Sequence, residues 1–290
     1  MGVLTEFVAH NFIFQPPHTV HDVRNKPKST KDVFVECPSG NMIHTQLVTA
    51  FDDKTEFPST CYDNWDRCKT VLLFSHGNAD DNKGIYSYCT WLAEHLNVMV
   101  VCYDPPGYGF STACTTTEDN MNEAIYAVYN FLRTTLEHPS EKIVLMGKSL
   151  GSVPTIDLSM RVFEPLQGIV LVSPIASGLR VLVSQKVMSY MPKWVSTQMD
   201  FCFAPNLYKI REVSSAVLFV HGLDDHVVSV DNTYALSREV PIKHSVPSLI
   251  LSKAGHNNIE QRYADQFLST LFDFIWRKAS TCDYEKKCET

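Results

Sequence analysis

Along the chain, two strand-like stretches at 33–37 and 42–49 come first, separated by Pro38-Ser39-Gly40-Asn41, a turn signal, and read as an antiparallel hairpin. Polar residues dominate from 52 to 69, as in a surface loop. From residue 70 the pattern changes to short, nearly continuous apolar runs at 70–74, 98–103, 143–146, 169–172, 216–220 and 248–251. Such runs suit strands covered on both faces, as in a parallel sheet. Between them lie amphipathic stretches at 85–95, 119–136, 150–162, 230–239 and 259–276. In the second of these, Met121, Ala124, Ile125, Val128, Phe131 and Leu132 recur at helical spacing. Strand–helix alternation behind a leading hairpin predicts an α/β fold, a mostly parallel twisted sheet with helices on both faces.

The connection from 175 to 213 is too long for an ordinary loop. It carries Met188, Tyr190, Met191, Trp194, Met199, Phe201 and Phe203 and reads as an inserted cap over the sheet edge. The expected organisation is an arm at 1–32, one domain at 33–278 containing the cap, and a tail at 279–290. Phe7, Phe12 and Phe14 in the arm are expected to pack against the domain. Were residues 7–14 to touch lipid instead, their lack of Lys and Arg would make the contact weak and hydrophobic.

Composition narrows the classes. The chain has 290 residues, 44% hydrophobic and 20% charged, which suits a large core and excludes wholesale disorder. Its formal net charge of -7 argues against a nucleic-acid partner. Nine cysteines, an odd number with no CxxC, read as free thiols rather than a disulfide framework or zinc site. With no Asn-x-Ser/Thr sequon, no signal-peptide pattern and no apolar run near the roughly 18–20 residues a bilayer requires, a cytoplasmic protein is expected. Glu6 stands where a myristoylation signal needs Ser or Thr.

The chemistry is concentrated at strand ends. After the strand at 143–146, residues Gly147-Lys148-Ser149-Leu150-Gly151 form G-x-S-x-G and lead into a helix. A serine lifted above a sheet on a strained turn needs small residues on both sides. A P-loop reading fails, because Lys142 stands where that motif requires glycine. Gly107-Tyr108-Gly109 lacks the third glycine of a dinucleotide fingerprint and reads as a sharp turn. A serine nucleophile needs a base and an orienting acid. Asp225 follows the strand at 216–220 and His256 the strand at 248–251, both at the edge where open α/β sheets build sites. Asp224 is the rival acid; Asp225 is preferred for its place in a G-x-x-D pattern. The chain order Ser149…Asp225…His256 is that of an α/β-hydrolase. An oxyanion hole would draw on the backbone N–H groups of Leu150 and Asn78, with Ala79 as the second choice for the latter. No metal or organic cofactor is required.

A narrower likeness lies in Ser75-His76-Gly77-Asn78-Ala79, Tyr103-Asp104-Pro105-Pro106-Gly107-Tyr108-Gly109, Ser152-Val153-Pro154-Thr155, residues 173–180, Gly255-His256-Asn257-Asn258-Ile259-Glu260, residues 203–210 and Phe14-Gln15-Pro16-Pro17. In these the chain resembles the serine α/β-hydrolases of the domain-containing family-seventeen group, which are palmitoyl-protein thioesterases. The resemblance implies Ser149 as nucleophile, Asp225 as acid and His256 as base, acting on S-acylated proteins or fatty-acyl esters. Two departures stand out. That group carries an acylated N-terminal cysteine cluster that holds it on membranes, whereas residues 1–36 here contain no cysteine. Lys148 occupies a position where the group has a neutral polar residue, and reads either as a solvated turn residue or as positive charge at the site entrance. The same triad would serve a carboxylesterase or lipase, and a non-catalytic binding module is the alternative outside the enzymes.

Overall fold

The computed structural model describes residues 14–17, 30–49, 65–67, 69–182, 190 and 204–276. The hairpin forms from β1 (Thr30–Glu36) and β2 (Met42–Val48), paired antiparallel with Thr30 opposite Val48. The apolar runs become β3 (Val71–Ser75), β4 (Met99–Tyr103), β5 (Ile143–Lys148), β6 (Gly168–Val172), β7 (Val217–Gly222) and β8 (Leu249–Leu251). Together they make one eight-stranded sheet in the order β1-β2-β4-β3-β5-β6-β7-β8. Only β1–β2 and β2–β4 are antiparallel; every other pair is parallel.

Alternate residues of the central strands face two separate apolar layers, which explains their continuous apolarity. Leu72, Phe74, Val100, Cys102, Val144 and Met146 pack with α1 (Tyr86–Leu96) on one face. Val71, Leu73, Met99, Val101, Ile143 and Leu145 pack with α2 (Glu118–Asn130) on the other. The helix that follows the turn after β5, α3 (Ser152–Arg161), lies on the α2 side, with Ile156 and Leu158 buried. The chain leaves β3 toward β4 on one side and later returns to β5 on the other, so a crevice opens at the carboxyl ends of β3 and β5.

Element ends differ from the sequence expectation in physically readable ways. The helix expected at 119–136 is an α-helix to Asn130, and then a π turn (Phe131–Thr135) in which Leu136 N–H reaches Phe131 O. Glu137, at φ 51°, lies just beyond it, outside the helical range. The helix expected at 259–276 is two, α7 (Ile259–Arg262) and α8 (Ala264–Trp276), broken at Tyr263, whose φ of -132° is not helical. The described parts of the 175–213 connection include α4 (Gly178–Leu182) and α5 (Asn206–Lys209). Ala176, Leu207, Ile210 and Val213 join Ile156 and Leu236, the latter on α6 (Asp231–Glu239), in one apolar cluster. Tyr190 is exposed, whereas Met188, Met191, Trp194, Met199, Phe201 and Phe203 lie outside the described residues.

Phe14 is buried, as expected for the arm, while Phe7 and Phe12 lie outside the described residues. Cys37, Cys89, Cys102 and Cys114 are free, and the first three are buried. Burial, with the Glu123 charge second, pushes the Cys37 thiol up to about 12, which makes it unreactive. Among the described residues no helix is long and apolar enough to cross a membrane.

Helix α2 is fixed at its start by a capping box: Asn120 N–H donates to Thr117 Oγ1 at 3.2 Å, and Thr117 N–H to Asn120 Oδ1 at 2.9 Å. Its first residue, Glu118, accepts from Ala204 N–H and from Lys209 Nζ, tying α2 to the end of the long connection. Thr117→Ala leaves the Asn120 N–H without its acceptor and should cost about 1 kcal/mol, read as a Tm lowered by roughly 2–4 °C in a thermal melt.

Candidate active site

Ser149 sits at the tip of a turn between β5 and α3, in a short 3-10 turn (Ser149–Gly151), with φ 53°. That left-handed conformation is costly for a residue with a side chain and persists only where the surroundings impose it. The surroundings are tight. A Cβ on Gly147 would meet Thr155 Oγ1 at 2.5 Å and Gly151 O at 2.6 Å, and one on Gly151 would run into the Ser75 carbonyl of β3. Both glycines are therefore required by close approach, as the G-x-S-x-G spacing anticipates. Ser152 Oγ donates to Ser149 O at 2.6 Å and accepts from Ile175 N–H at 3.0 Å, which fastens the turn to the segment after β6.

The three side chains singled out in the sequence converge. His256 Nε2 lies 3.0 Å from Ser149 Oγ, and His256 Nδ1 lies 2.7 Å from Asp225 Oδ2. An Nδ1–H donating to the carboxylate leaves the Nε2 lone pair facing the serine hydroxyl, the state in which an imidazole can accept its proton. Asp225 is buried and Asp224 is exposed, so Asp225 is the carboxylate that meets the imidazole. Asp225 Oδ1 accepts from the N–H groups of Val227 and Val228 at 2.9 and 2.8 Å. Burial opposes the charge on Asp225, but hydrogen bonds from His221 and His256, the His256 charge and the Val228 N–H hold the carboxyl well below the usual range.

His221 is a participant that the sequence did not mark. It is fully buried at the end of β7, with Nε2 2.9 Å from Val228 O and 3.3 Å from Asp225 Oδ2, and Nδ1 2.7 Å from Thr233 Oγ1. Nε2–H donating and Nδ1 accepting from the threonine hydroxyl satisfies all three contacts. The available signal was its place at a strand end four residues before Asp225, which any His-Gly turn would share.

The loop after β3 runs beside the serine: a Cβ on Gly77 would lie 3.9 Å from Ser149 Cβ. The Asn78 side-chain carbonyl accepts from Tyr108 Oη at 2.7 Å and from Gln15 N–H at 2.9 Å. Phe14 packs with Met121, Leu150, Val153, Ile175, Ala204 and Val228, an apolar cluster that includes the residue following Ser149. Residues 14–17 thus lie against both segments expected to supply the oxyanion hole. Lys148 is not a solvated turn residue, since its Nζ lies 2.9 Å from Glu260 Oε1 and only 18% of its side chain is exposed.

Beneath the Asn78 loop lies a buried charge cluster that the sequence did not disclose. Asp104 Oδ2 is 2.9 Å from His44 Nδ1, while Oδ1 is 3.4 Å from His76 Nε2 and accepts from Asn82 N–H at 2.8 Å. His76 Nδ1 faces Gly77 O at 2.8 Å. Burial works against charge on both partners. Against it, the hydrogen bonds and charges of His44 and His76 bring the Asp104 carboxyl down to about 2, and Asp104 raises the His76 imidazole above its ordinary value. A Cβ on Gly109, at φ 47°, would collide with the Asp104 carboxylate, so the turn after β4 closes directly over it.

Similarity to known proteins agrees with this architecture. The family model described as serine aminopeptidase, S33, matches residues 66–207. The α/β hydrolase domain-containing protein aho-3 of Caenorhabditis elegans is 37% identical over 210 residues, covering 72% of this chain and 58% of that protein. Human α/β hydrolase domain-containing protein 17C is 37% identical over 207 residues, covering 71% of this chain and 57% of that one. The match thus spans somewhat under two thirds of these relatives' length. An esterase from Pyrococcus furiosus has the same fold, with a TM-score of 0.65 at 16% identity over 92% of this chain and 99% of that one. The chain belongs to the α/β-hydrolases. Within them it is similar to the domain-containing 17 proteins, in keeping with the motifs at 75–79, 103–109 and 255–260.

The Asp104 cluster makes a pH-dependent contribution to stability. A carboxyl held below its unfolded value stabilises the fold fully above about pH 4, and that contribution is lost as pH falls through about 2. His76, raised by the same contact, contributes below its unfolded value and loses this as pH rises through its folded value. Asp104→Asn should lower urea-unfolding stability by at least about 2 kcal/mol near pH 5–6, and the gap from wild type should narrow below pH 4. A pH-independent gap would mean that Asp104 acts through shape alone.

Proposed function

We propose that this chain is a serine hydrolase that cleaves fatty-acyl thioesters, with palmitoylated proteins as its substrate class. The observation that carries the reading is the hydrogen-bonded series from Ser149 through His256 to Asp225, mounted on a left-handed serine turn. In the first step His256 Nε2 takes the Ser149 proton as Oγ attacks the thioester carbonyl. The carbonyl oxygen, now an oxyanion, is held by the backbone N–H groups of Leu150 and Asn78. Asp225 orients the imidazole and stabilises its protonated form. Collapse of the tetrahedral intermediate breaks the C–S bond, and His256 returns the proton to the leaving thiolate. Water, deprotonated by His256, then attacks the acyl-enzyme, releasing the fatty acid and restoring Ser149.

Support for a thioesterase over other hydrolases comes from the resemblance to the family-seventeen group across the loops that line the site. The cluster of Phe14, Leu150, Val153, Ile175 and Val228 gives the serine an apolar flank. In this reading residues 33–278 work as one hydrolase unit, with 175–213 as its cap, in the cytoplasm. Recruitment to cytosol-facing membranes would be weak and peripheral, through the apolar residues of 7–13, Phe14 being buried in the domain. An esterase acting on small esters or lysolipids would use the same triad.

Ser149→Ala should abolish labelling by a fluorophosphonate probe and lower turnover by about 10⁴-fold or more. Wild type should hydrolyse an S-palmitoyl peptide in preference to short p-nitrophenyl esters. The reverse preference would move the assignment to a small-ester hydrolase, and folded wild type that neither labels nor turns over would mark a binding module.

A further inference from the structure

Lys148 and Glu260 flank the Ser149–His256 contact in an unusual way. Lys148 immediately precedes the serine at the end of β5, and Glu260 lies in the first turn of α7, four residues after His256. Their charged atoms meet at 2.9 Å, with side chains 18% and 11% exposed. Lys148 Nζ also stands 5.6 Å from the ring centroid of Tyr88 on α1, a cation–π distance. One ion pair thus joins the strand that carries the serine to the helix that follows the histidine, against a third element.

Other hydrogen bonds of the His256 loop run elsewhere. Asp224 N–H donates to Ala254 O and Leu223 N–H to Leu251 O, which fixes the loop against the end of β7. Gly255 N–H donates to Asn258 Oδ1 and Arg262 Nη1 to Lys253 O, which close the loop on itself. These contacts set His256 relative to Asp225. They do not set it relative to β5, where the Lys148–Glu260 pair acts. Being largely shielded from water, the pair is weakly screened and its geometry is well held. Its two charges also offset one another next to the residues that would exchange a proton.

Resting on the hydrolase reading, we propose that Lys148 and Glu260 are positioning residues. The pair holds the His256 loop at hydrogen-bonding distance from Ser149 and keeps the electrostatic surroundings of the imidazole balanced. Among the described residues, the ionisable groups on the elements that hold the imidazole include Asp225 and Asp224 from the β7 loop, with His221 behind Asp225, and the pair itself from β5 and α7. Tyr88 of α1 lies against the pair, and the charge of Asp80 in the β3–α1 loop acts on Tyr88.

The test uses the full chain, with fluorophosphonate labelling and steady-state acyl hydrolysis from about pH 5 to 9, and circular dichroism as the control for folding. Lys148→Met and Glu260→Gln should each lower kcat about tenfold, with KM changed less than about twofold. The acid limb of the kcat/KM profile should move in opposite directions. It shifts to lower pH by about half a unit in Glu260→Gln, where an unpaired cation disfavours a protonated imidazole, and to higher pH by a similar amount in Lys148→Met. The double variant K148Q/E260Q keeps a neutral hydrogen bond between the two positions. It should recover most of the lost kcat and return the acid limb to its wild-type place. Folded single variants with unchanged kcat, or with acid limbs that stay put or move together, would overturn the proposal. If the single variants do not fold, the double variant decides: kcat below about a tenth of wild type overturns the proposal and recovery upholds it. Wild type that neither labels nor turns over defeats the hydrolase reading, an outcome distinct from an active wild type with unaffected variants.

Discussion

The close approach of β3 to the turn that follows β5 governs the rest of the site. The Ser75 carbonyl fills the space where Gly151 would carry a Cβ, and Thr155 and the Gly151 carbonyl fill the space beside Gly147. With no lateral room, the chain can pass from strand to helix only by a left-handed residue at the apex, and Ser149 is that residue. The same approach brings the Gly77 loop alongside the serine. Ser149, the Asn78 loop and the start of α3 are consequences of one packing contact between adjacent parallel strands.

Two polar assemblies stand behind this contact, and they differ in kind. Around Asp225, two histidines and two backbone N–H groups satisfy a buried carboxylate, leaving His256 with one nitrogen committed and one facing the serine. Around Asp104, two histidines and the Asn82 N–H satisfy a second buried carboxylate, which supports a loop and reaches no reacting atom. The first assembly presents an imidazole nitrogen to a hydroxyl, and the second holds backbone in place. Burying either carboxylate without these donors would cost several kcal/mol, so each set of partners is needed as a whole.

Much of this was legible in the sequence because it depends on local pattern. Continuous apolarity marked β3 to β8 and a turn signal marked the leading hairpin, and all eight strands appear within a few residues of expectation. The glycines around Ser149 mark a steric demand visible in one dimension, and the position of Asp225 and His256 after strand ends follows from the topology of parallel sheets. What was not legible depends on pairing across long separations. Nothing near His44, His76 or Asp104 announces that three sequence-distant groups share one buried site. His221 resembles any histidine at a strand end, and the sequence left Lys148 between a solvated turn residue and a charge at the site entrance because its partner is 112 residues away. The break at Tyr263 escaped notice because apolar periodicity continues through it.

Ser149 also occupies a left-handed backbone that a residue without a side chain would fill at lower cost. Glycine at that position would relieve the left-handed conformation without disturbing either neighbour, and the fold itself would gain from the exchange. Selection for thermal robustness alone would therefore erode the elbow at its apex first. A serine retained there by a lineage of such chains would be a record of selection for chemistry, legible without any assay.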